Sequence, residues 1–287
     1  MRREILDLID KKDDLPPLPA ILIKLEKAIN DPNSTNEDIA ELFESEPILS
    51  GRLLTYANSA LLGSGREKVN NMPDVLMRLG SKMVLDTAYS LNFISLFMLM
   101  RIAGFDQVRF WKHCFSVAIL SDFFSEQLNL LPKEKAVSYI SGLMHELGIL
   151  VFINIIPEEY SKFIQDVCDS SESIEVLEKE KFGIAHPELG ASFIRRKWII
   201  DPEVPVAVAS SHLQENEDRF PTNLGQVVSL ANRIANSSDL SNGITTFQAA
   251  PVDSETIDFL GMTSGRFGEL LENTREKVEQ VGSFLNG

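Results

Sequence analysis

Gly142-Leu143-Met144-His145-Glu146-Leu147-Gly148 sets a histidine beside a carboxylate inside an apolar run and closes the run with a glycine. Burying such a pair is costly unless it has partners. A metal ion, an acid/base pair and a hydrogen-bonded core pair each provide them. The choice among these three decides both the fold and the function.

Working outward, the pattern is helical. Apolar residues recur at helical spacing from Ala136 to Phe152, which predicts one helix carrying His145 and Glu146. Before it, Phe110 to Phe124 reads as a long helix containing His113 and Cys114. After it, Pro157 to Cys168, a helix from Ser173, Phe193 to Trp198, Pro202 to His212 and Leu224 to Ala235 read as further helices. On the N-terminal side, dense prolines in Leu15-Pro16-Pro17-Leu18-Pro19 forbid helix, and helices follow from Ala20, Asn36 and Pro47. Met72-Pro73-Asp74 opens another that stops at Gly80, and Ser81 to Met100 reads as an almost wholly apolar helix central to its lobe. Arg52, Asn58 and Arg66 read as a surface ion pair, a helix C-cap and a solvated loop residue. A last amphipathic helix runs toward Phe284. No sustained period-2 strand pattern occurs. The chain is expected to be all-α, a two-lobed helical bundle divided at 1–105, 106–240 and 241–287, the last segment packing on the second lobe.

Composition narrows the function. In 287 residues, 42 acidic against 27 basic side chains give a net charge of −15, a field that repels phosphate backbones and argues against a nucleic-acid binder. The basic spots Arg195-Arg196-Lys197 and Lys179/Lys181 are short and read as solvated helix faces. Cys114 and Cys168 form no metal or disulfide spacing and read as buried small hydrophobes of a reducing compartment. No apolar leader follows Met1, and the runs Leu91–Met100 and Ile149–Ile156 are about half the ~20 residues a membrane span needs. A cytoplasmic protein without membrane contact is expected.

The chain has four histidines, His113, His145, His186 and His212, all in the second lobe and near apolar helical segments. Helices bearing one histidine each can converge on a core site. For His186, beside Pro187 at a helix start, a hydrogen-bonded helix-end role is the simpler expectation. A zincin needs H-E-x-x-H, but residue 149 is Ile149. Neither a G-x-S-x-G elbow, a phosphate loop nor a dinucleotide fingerprint occurs. The helical histidine/carboxylate cluster is what remains.

The order His113, His145-Glu146, His186, His212, Asn232 resembles the HD superfamily of metal-dependent phosphohydrolases, and the opening stretch is similar to that family's G-L-L-H-D-I-G-K, with Ile149 at the usual lysine. Leu15-Pro16-Pro17-Leu18-Pro19, Ser45-Glu46-Pro47-Ile48-Leu49, Ala57-Asn58-Ser59-Ala60 and Arg78-Leu79-Gly80 resemble the signature of the HDOD domain, an HD-related output module of bacterial signalling proteins, over about 15–275. Glu46 stands where that family usually has aspartate. The resemblance implies an N-terminal HDOD-type helical lobe followed by an HD-like helical lobe. It implies candidate metal ligands at His113, His145, Glu146, His186, His212 and Asn232. Two of the four minimal ligands are altered: Glu146 replaces an aspartate, and Asn232, a neutral carbonyl, occupies the late aspartate position. Glutamate's extra methylene shifts its carboxylate by about a bond length and a half, against metal–oxygen bonds of ~2.0–2.2 Å held within ~0.2 Å.

The resemblance therefore implies a non-catalytic signal-transduction module that acts through a protein partner, with a degenerate metal site and no cofactor expected. One alternative is a metal-dependent phosphohydrolase, of phosphodiesterase or nucleotidase type, using His113, His145 and Glu146 with iron, manganese or zinc; His145 and Glu146 would then be the catalytic pair. A second is a residual metal or small-ligand pocket without turnover. No receiver, GGDEF or GYP-type segment is read in the chain, so its partners are expected to act in trans.

Overall fold

The computed structural model describes residues 1–12, 15–59, 67–97, 104–212 and 223–282. Every regular element among them is helical, and the residues divide into two compact units, one holding 1–16 with 98–282 and the other 17–97. The loop residue Arg66, the last residues of the Leu91–Met100 run, Ala60 and Phe284 lie outside the described residues.

In the 17–97 unit, the prolines deliver an extended segment whose Pro19 caps α2 (Ala20–Asn30). Thr35 and Asp38 cap each other reciprocally at the start of α3 (Asn36–Leu42), which satisfies free backbone amides of the first turn. A short 3₁₀ turn, Phe43–Ser45, leads into α4 (Pro47–Ala57). Asn58 caps α4, but its side chain does more. It exchanges hydrogen bonds with the backbone of Val69 at 2.9 and 3.0 Å and accepts one from Arg78 Nη1 at 3.2 Å. It thereby ties α4 to the segment entering α5 (Met72–Leu79). Arg52, expected in an ion pair, donates instead to Ser95 Oγ at 2.9 Å. The apolar helix α6 (Ser81–Phe97) buries Val84, Ala88, Leu91, Phe93 and Phe97 at the centre of this unit.

The other unit is built on α7 (Gln107–Gln127), which buries Phe110, His113, Cys114, Val117, Leu120 and Phe124. The helix predicted over Ala136–Phe152 is in fact three: α8 (Pro132–Ala136), α9 (Ser138–Leu143) and α10 (Leu147–Ile155), with a turn at 144–146. Neighbours on an unbroken α-helix point about 100° apart. The break at this turn is what lets His145 and Glu146 face one site. Next come α11 (Pro157–Val167), α12 (Ile174–Phe182), α13 (His186–Lys197), α14 (Glu203–Ala209), α15 (Leu224–Asn236), α16 (Ser254–Phe259) and α17 (Ser264–Gly282). Helices α9, α15 and α17 pack on α7, while α13 bridges α10 and α14. The N-terminal α1 (Arg2–Lys11) buries Ile5 and Ile9 and docks on α10 and α13, where Lys12 donates to Asn154 O at 2.8 Å and Arg196 pairs with Asp10 at 2.6 Å. Cys114 is buried as expected. Cys168 is exposed, because α11 ends at Val167 and its apolar stripe of Tyr160, Phe163 and Ile164 goes no further.

The two glycines that bracket the histidine stretch are packing requirements. A methyl group on Gly142 would lie 2.7 Å from Ala118 Cα, and one on Gly148 would lie 1.9 Å from the carbonyl oxygen of His186. Helices α9 and α10 approach α7 and α13 so closely that only hydrogen fits, and this proximity brings His145, Glu146 and His186 together.

Gly148→Ala is expected to destabilise the protein by about 3 kcal/mol or more, because backbone must move to admit the methyl group. Gly51→Ala, within α4 and with open space around it, is expected to be neutral or to stabilise by about 0.5–1 kcal/mol. Urea denaturation of both variants checks this; a Gly148→Ala protein as stable as wild type contradicts the close approach.

Candidate metal centre

Five of the six sequence-derived candidates converge. His113 projects from the middle of α7, His145 and Glu146 from the 144–146 turn, His186 from the first residue of α13, and His212 from the turn after α14. His113, His145, Glu146 and His186 are fully buried, and the His212 side chain keeps 9% exposure. Glu146 is the centre. Its Oε1 lies 3.4 Å from His113 Nε2, 3.6 Å from His145 Nε2 and 3.8 Å from His212 Nε2, and its Oε2 lies 2.8 Å from His186 Nε2. His113 and His145 meet Nε2 to Nε2 at 3.1 Å, and His186 and His212 do so at 3.3 Å.

The outer nitrogens fix what these inner atoms are. His113 Nδ1 sits 2.8 Å from Leu240 O and His145 Nδ1 2.7 Å from Gly142 O. A carbonyl only accepts, so each Nδ1 carries the hydrogen, and on His145, which burial holds neutral, the Nε2 lone pair turns inward. Ser211 Oγ donates to Val208 O, so His212 Nδ1, 2.9 Å away, donates to Ser211 and its Nε2 is likewise a lone pair. His186 Nδ1 lies 2.7 Å from Glu178 Oε2. The His113 and His145 nitrogens, 3.1 Å apart, need a cation or a proton between them, while between His186 and His212, 3.3 Å apart, a proton on His186 serves.

The charges point the same way. Burial pushes His145 and His212 down, His145 well below the ordinary histidine range and His212, with help from His186, to about 3. Burial also acts against the charged form of His186, but Glu178 and Glu146 outweigh it and hold this ring well above its ordinary value. Burial opposes ionisation of Glu146, and the surrounding histidines, His186 first, overcome it and keep the carboxyl well below its ordinary value. Two carboxylates thus face one imidazolium, and among the described residues neither has a lysine or arginine partner. Glu146 Oε2 accepts no aligned hydrogen bond despite its 2.8 Å contact with His186. A buried anionic oxygen with no aligned donor, in a carboxylate beside the inward lone pairs of His145 and His212, fits a metal ion. Ligand atoms sharing one tetrahedral ion at ~2.0–2.2 Å stand roughly 3.3–3.6 Å apart, close to these separations. Two sets, His113/His145/Glu146 and Glu146/His186/His212, bring their ligand atoms within 4.8 Å of one another, so Glu146 belongs to both.

Asn232 takes no part in these contacts. It is buried on α15, donates to Ser211 O at 3.3 Å and accepts from Asn236 at 2.8 Å. Two other residues escaped the reading of the sequence. Asn242 donates to Glu146 Oε1 at 2.8 Å from a stretch that reads as a turn. Glu178, which reads as one of the acids around the solvated Lys179 and Lys181, is fully buried; it accepts from His186 N at 2.6 Å and from the hydroxyl of buried Tyr160. The signal for Glu178 was there. Ile174, Glu178 and Phe182 form one stripe four residues apart, with the acid in its middle.

The family described as HDOD domain matches residues 15–214. A curated relative from Treponema pallidum (strain Nichols), named "Uncharacterized protein", is 24% identical over 200 residues, covering 69% of this chain and 37% of that one, so the chain spans little more than a third of that relative's length. An HDOD domain protein with unknown function from Geobacter sulfurreducens superposes with a TM-score of 0.75 at 20% identity, covering 97% of this chain and 98% of that one. A "Putative phosphohydrolase" from Shewanella amazonensis SB2B gives 0.70 at 23% identity, over 98% and 97% of the two chains. A "Putative signal transduction protein" from Marinobacter aquaeolei VT8 gives 0.71 at 17% identity, over 99% and 65%. At these identities the likeness is one of fold. No helix among the described residues is long and apolar enough to cross a membrane.

The lowered histidines set a pH dependence for metal-free protein. Below about pH 6.5 an unfolded chain protonates His145 and His212 while the folded one does not, so stability falls as pH drops from about 6.5 toward 4.5. His186, raised, is protonated throughout in the folded chain, so it opposes part of this fall while its unfolded counterpart gains a proton around pH 6.5 and adds no slope below about pH 5.5. Urea titrations of chelated protein between pH 7 and 4.5 should show this fall, and His212→Asn should reduce the slope by about 1.4 kcal/mol per pH unit. A stability independent of pH over that range contradicts the buried, neutral rings.

Proposed function

Because the chain belongs to the HDOD domain family, we propose that it is a regulatory signalling module whose histidine/glutamate centre holds a divalent metal without turning over a substrate. The burial of that centre carries the reading. Four of its five side chains have no exposure, and the fifth has 9%. A phosphate ester needs room beside the ligands for its oxygens and for an attacking water. The second support is Asn232, whose amide is engaged with Ser211 and Asn236 and adds no negative charge to the cluster. His113, His145, Glu146, His186 and His212 are the residues that would hold the metal, with Asn242 orienting the Glu146 carboxylate. A bound ion would supply positive charge to the inward nitrogen lone pairs and to Glu146, cross-linking α7, the 144–146 turn, α13 and the turn after α14. Zinc and iron suit such a nitrogen-rich set, and manganese would depend on the shared carboxylate.

The signal passes to a protein partner in the cytoplasm of a bacterial cell. The family assignment supports this, as does the solved relative named for signal transduction. Acidity argues against nucleic acid as that partner. Affinity capture of the tagged chain from its native cells should recover a reproducible signalling protein; recovery of the chain alone, repeatedly, contradicts the reading.

A phosphohydrolase is the second reading, and the sharing of Glu146 between two ligand sets favours it. Elemental analysis with an assay on bis(p-nitrophenyl) phosphate separates the two. The regulatory reading expects bound metal, removed by His145→Ala, and no hydrolysis above that variant's background. Metal-dependent hydrolysis lost in His145→Ala establishes the enzyme instead.

A further inference from the structure

The two ligand sets that share Glu146 differ in what stands behind their histidines. Behind His113 and His145 are neutral backbone carbonyls, those of Leu240 and Gly142. Behind His186 is a carboxylate: Glu178 Oε2 lies 2.7 Å from His186 Nδ1 and 2.6 Å from the backbone nitrogen of the same residue. Glu178 is fully buried in the apolar stripe of α12, and its other oxygen accepts from the Tyr160 hydroxyl. Tyr160 is itself fully buried and stacked on Phe152 with centroids 4.8 Å apart. A charged group in that position needs a reason, since burying it away from water is costly.

We propose that Glu178 is a positioning residue that makes the two halves of the centre unequal, so that the Glu146/His186/His212 half binds a divalent cation more tightly and fills first. The chemistry is general. A carboxylate that accepts the outer N–H of an imidazole fixes its tautomer, makes the inner nitrogen a stronger donor and places a negative charge one ring-width from the cation; a neutral carbonyl fixes the tautomer but adds little charge. Glu178 also anchors His186 twice, through the ring and through the first backbone amide of α13, so the ring is preorganised before an ion arrives. The tyrosine hydroxyl donates to the other carboxylate oxygen. The partner half, backed by carbonyls alone, is the weaker site and responds to the metal supply.

This inference rests on the metal-binding reading above, and calorimetric titration of the metal-free full chain with Zn(II), paired with elemental stoichiometry, tests both. Wild type is expected to take up two ions in resolved steps, the weaker abolished by His113→Ala and the tighter by His212→Ala. Glu178→Gln, the same size but uncharged, should weaken the tighter step by about 10–100-fold and leave the weaker one unchanged. Glu178→Asp keeps the charge but withdraws it by one methylene, so it should fall between wild type and Glu178→Gln, and it carries the test if Glu178→Gln fails to fold. Equal weakening of both steps, or of neither, overturns the role of Glu178 while leaving metal binding intact. A wild-type chain that takes up no Zn(II) overturns both.

Discussion

An ionised glutamate, Glu146, lies with no solvent exposure among four histidine rings, and the larger unit is arranged to tolerate it. A lone buried carboxylate would cost several kcal/mol. Here the charge is met by the His186 imidazolium and by an amide hydrogen bond from Asn242. Each ring is held from behind, by Leu240, Gly142, Ser211 or Glu178, so none can turn away. The break in the helix at 144–146 and the hydrogen-only contacts at Gly142 and Gly148 are the backbone consequences of seating that carboxylate.

Much of this was legible from residue types and spacing. Helical periodicity with proline and glycine punctuation identified most of the helices, and four histidines confined to one region of apolar helices pointed to a shared site. What the letters concealed were effects of tertiary packing. The run from Ala136 to Phe152 is largely apolar, so periodicity gave no sign that two turns interrupt it. Gly148 read only as the close of the histidine run, whereas it and Gly142 are points of contact with other helices. Glu178 sits among Glu175, Lys179 and Glu180, and local charge disguised a residue whose partners lie on α11 and α13. Asn232 matched the order of a ligand pattern, and its amide bonds Ser211 and Asn236. An ordered pattern of residues states which types are available; the hydrogen bonds on their far side state what they are available for.

That distinction also separates binding from catalysis at this centre. Outer-shell hydrogen bonds that lock tautomers serve a metal ligand whether or not a reaction follows. Catalysis further requires access and space for a reacting group, and among the described residues four of the five side chains at this centre have no exposure. An ion bound to the native state alone would stabilise it by mass action.

The most direct test is an anomalous-difference map from crystals of the full chain grown with Zn(II). Two peaks flanking the Glu146 carboxylate, one toward His113 and His145 and one toward His186 and His212, with no opening from the surface beside them, are the predicted result. A map without anomalous density at Glu146, with the carboxylate engaged by His186 and Asn242 alone, contradicts the account.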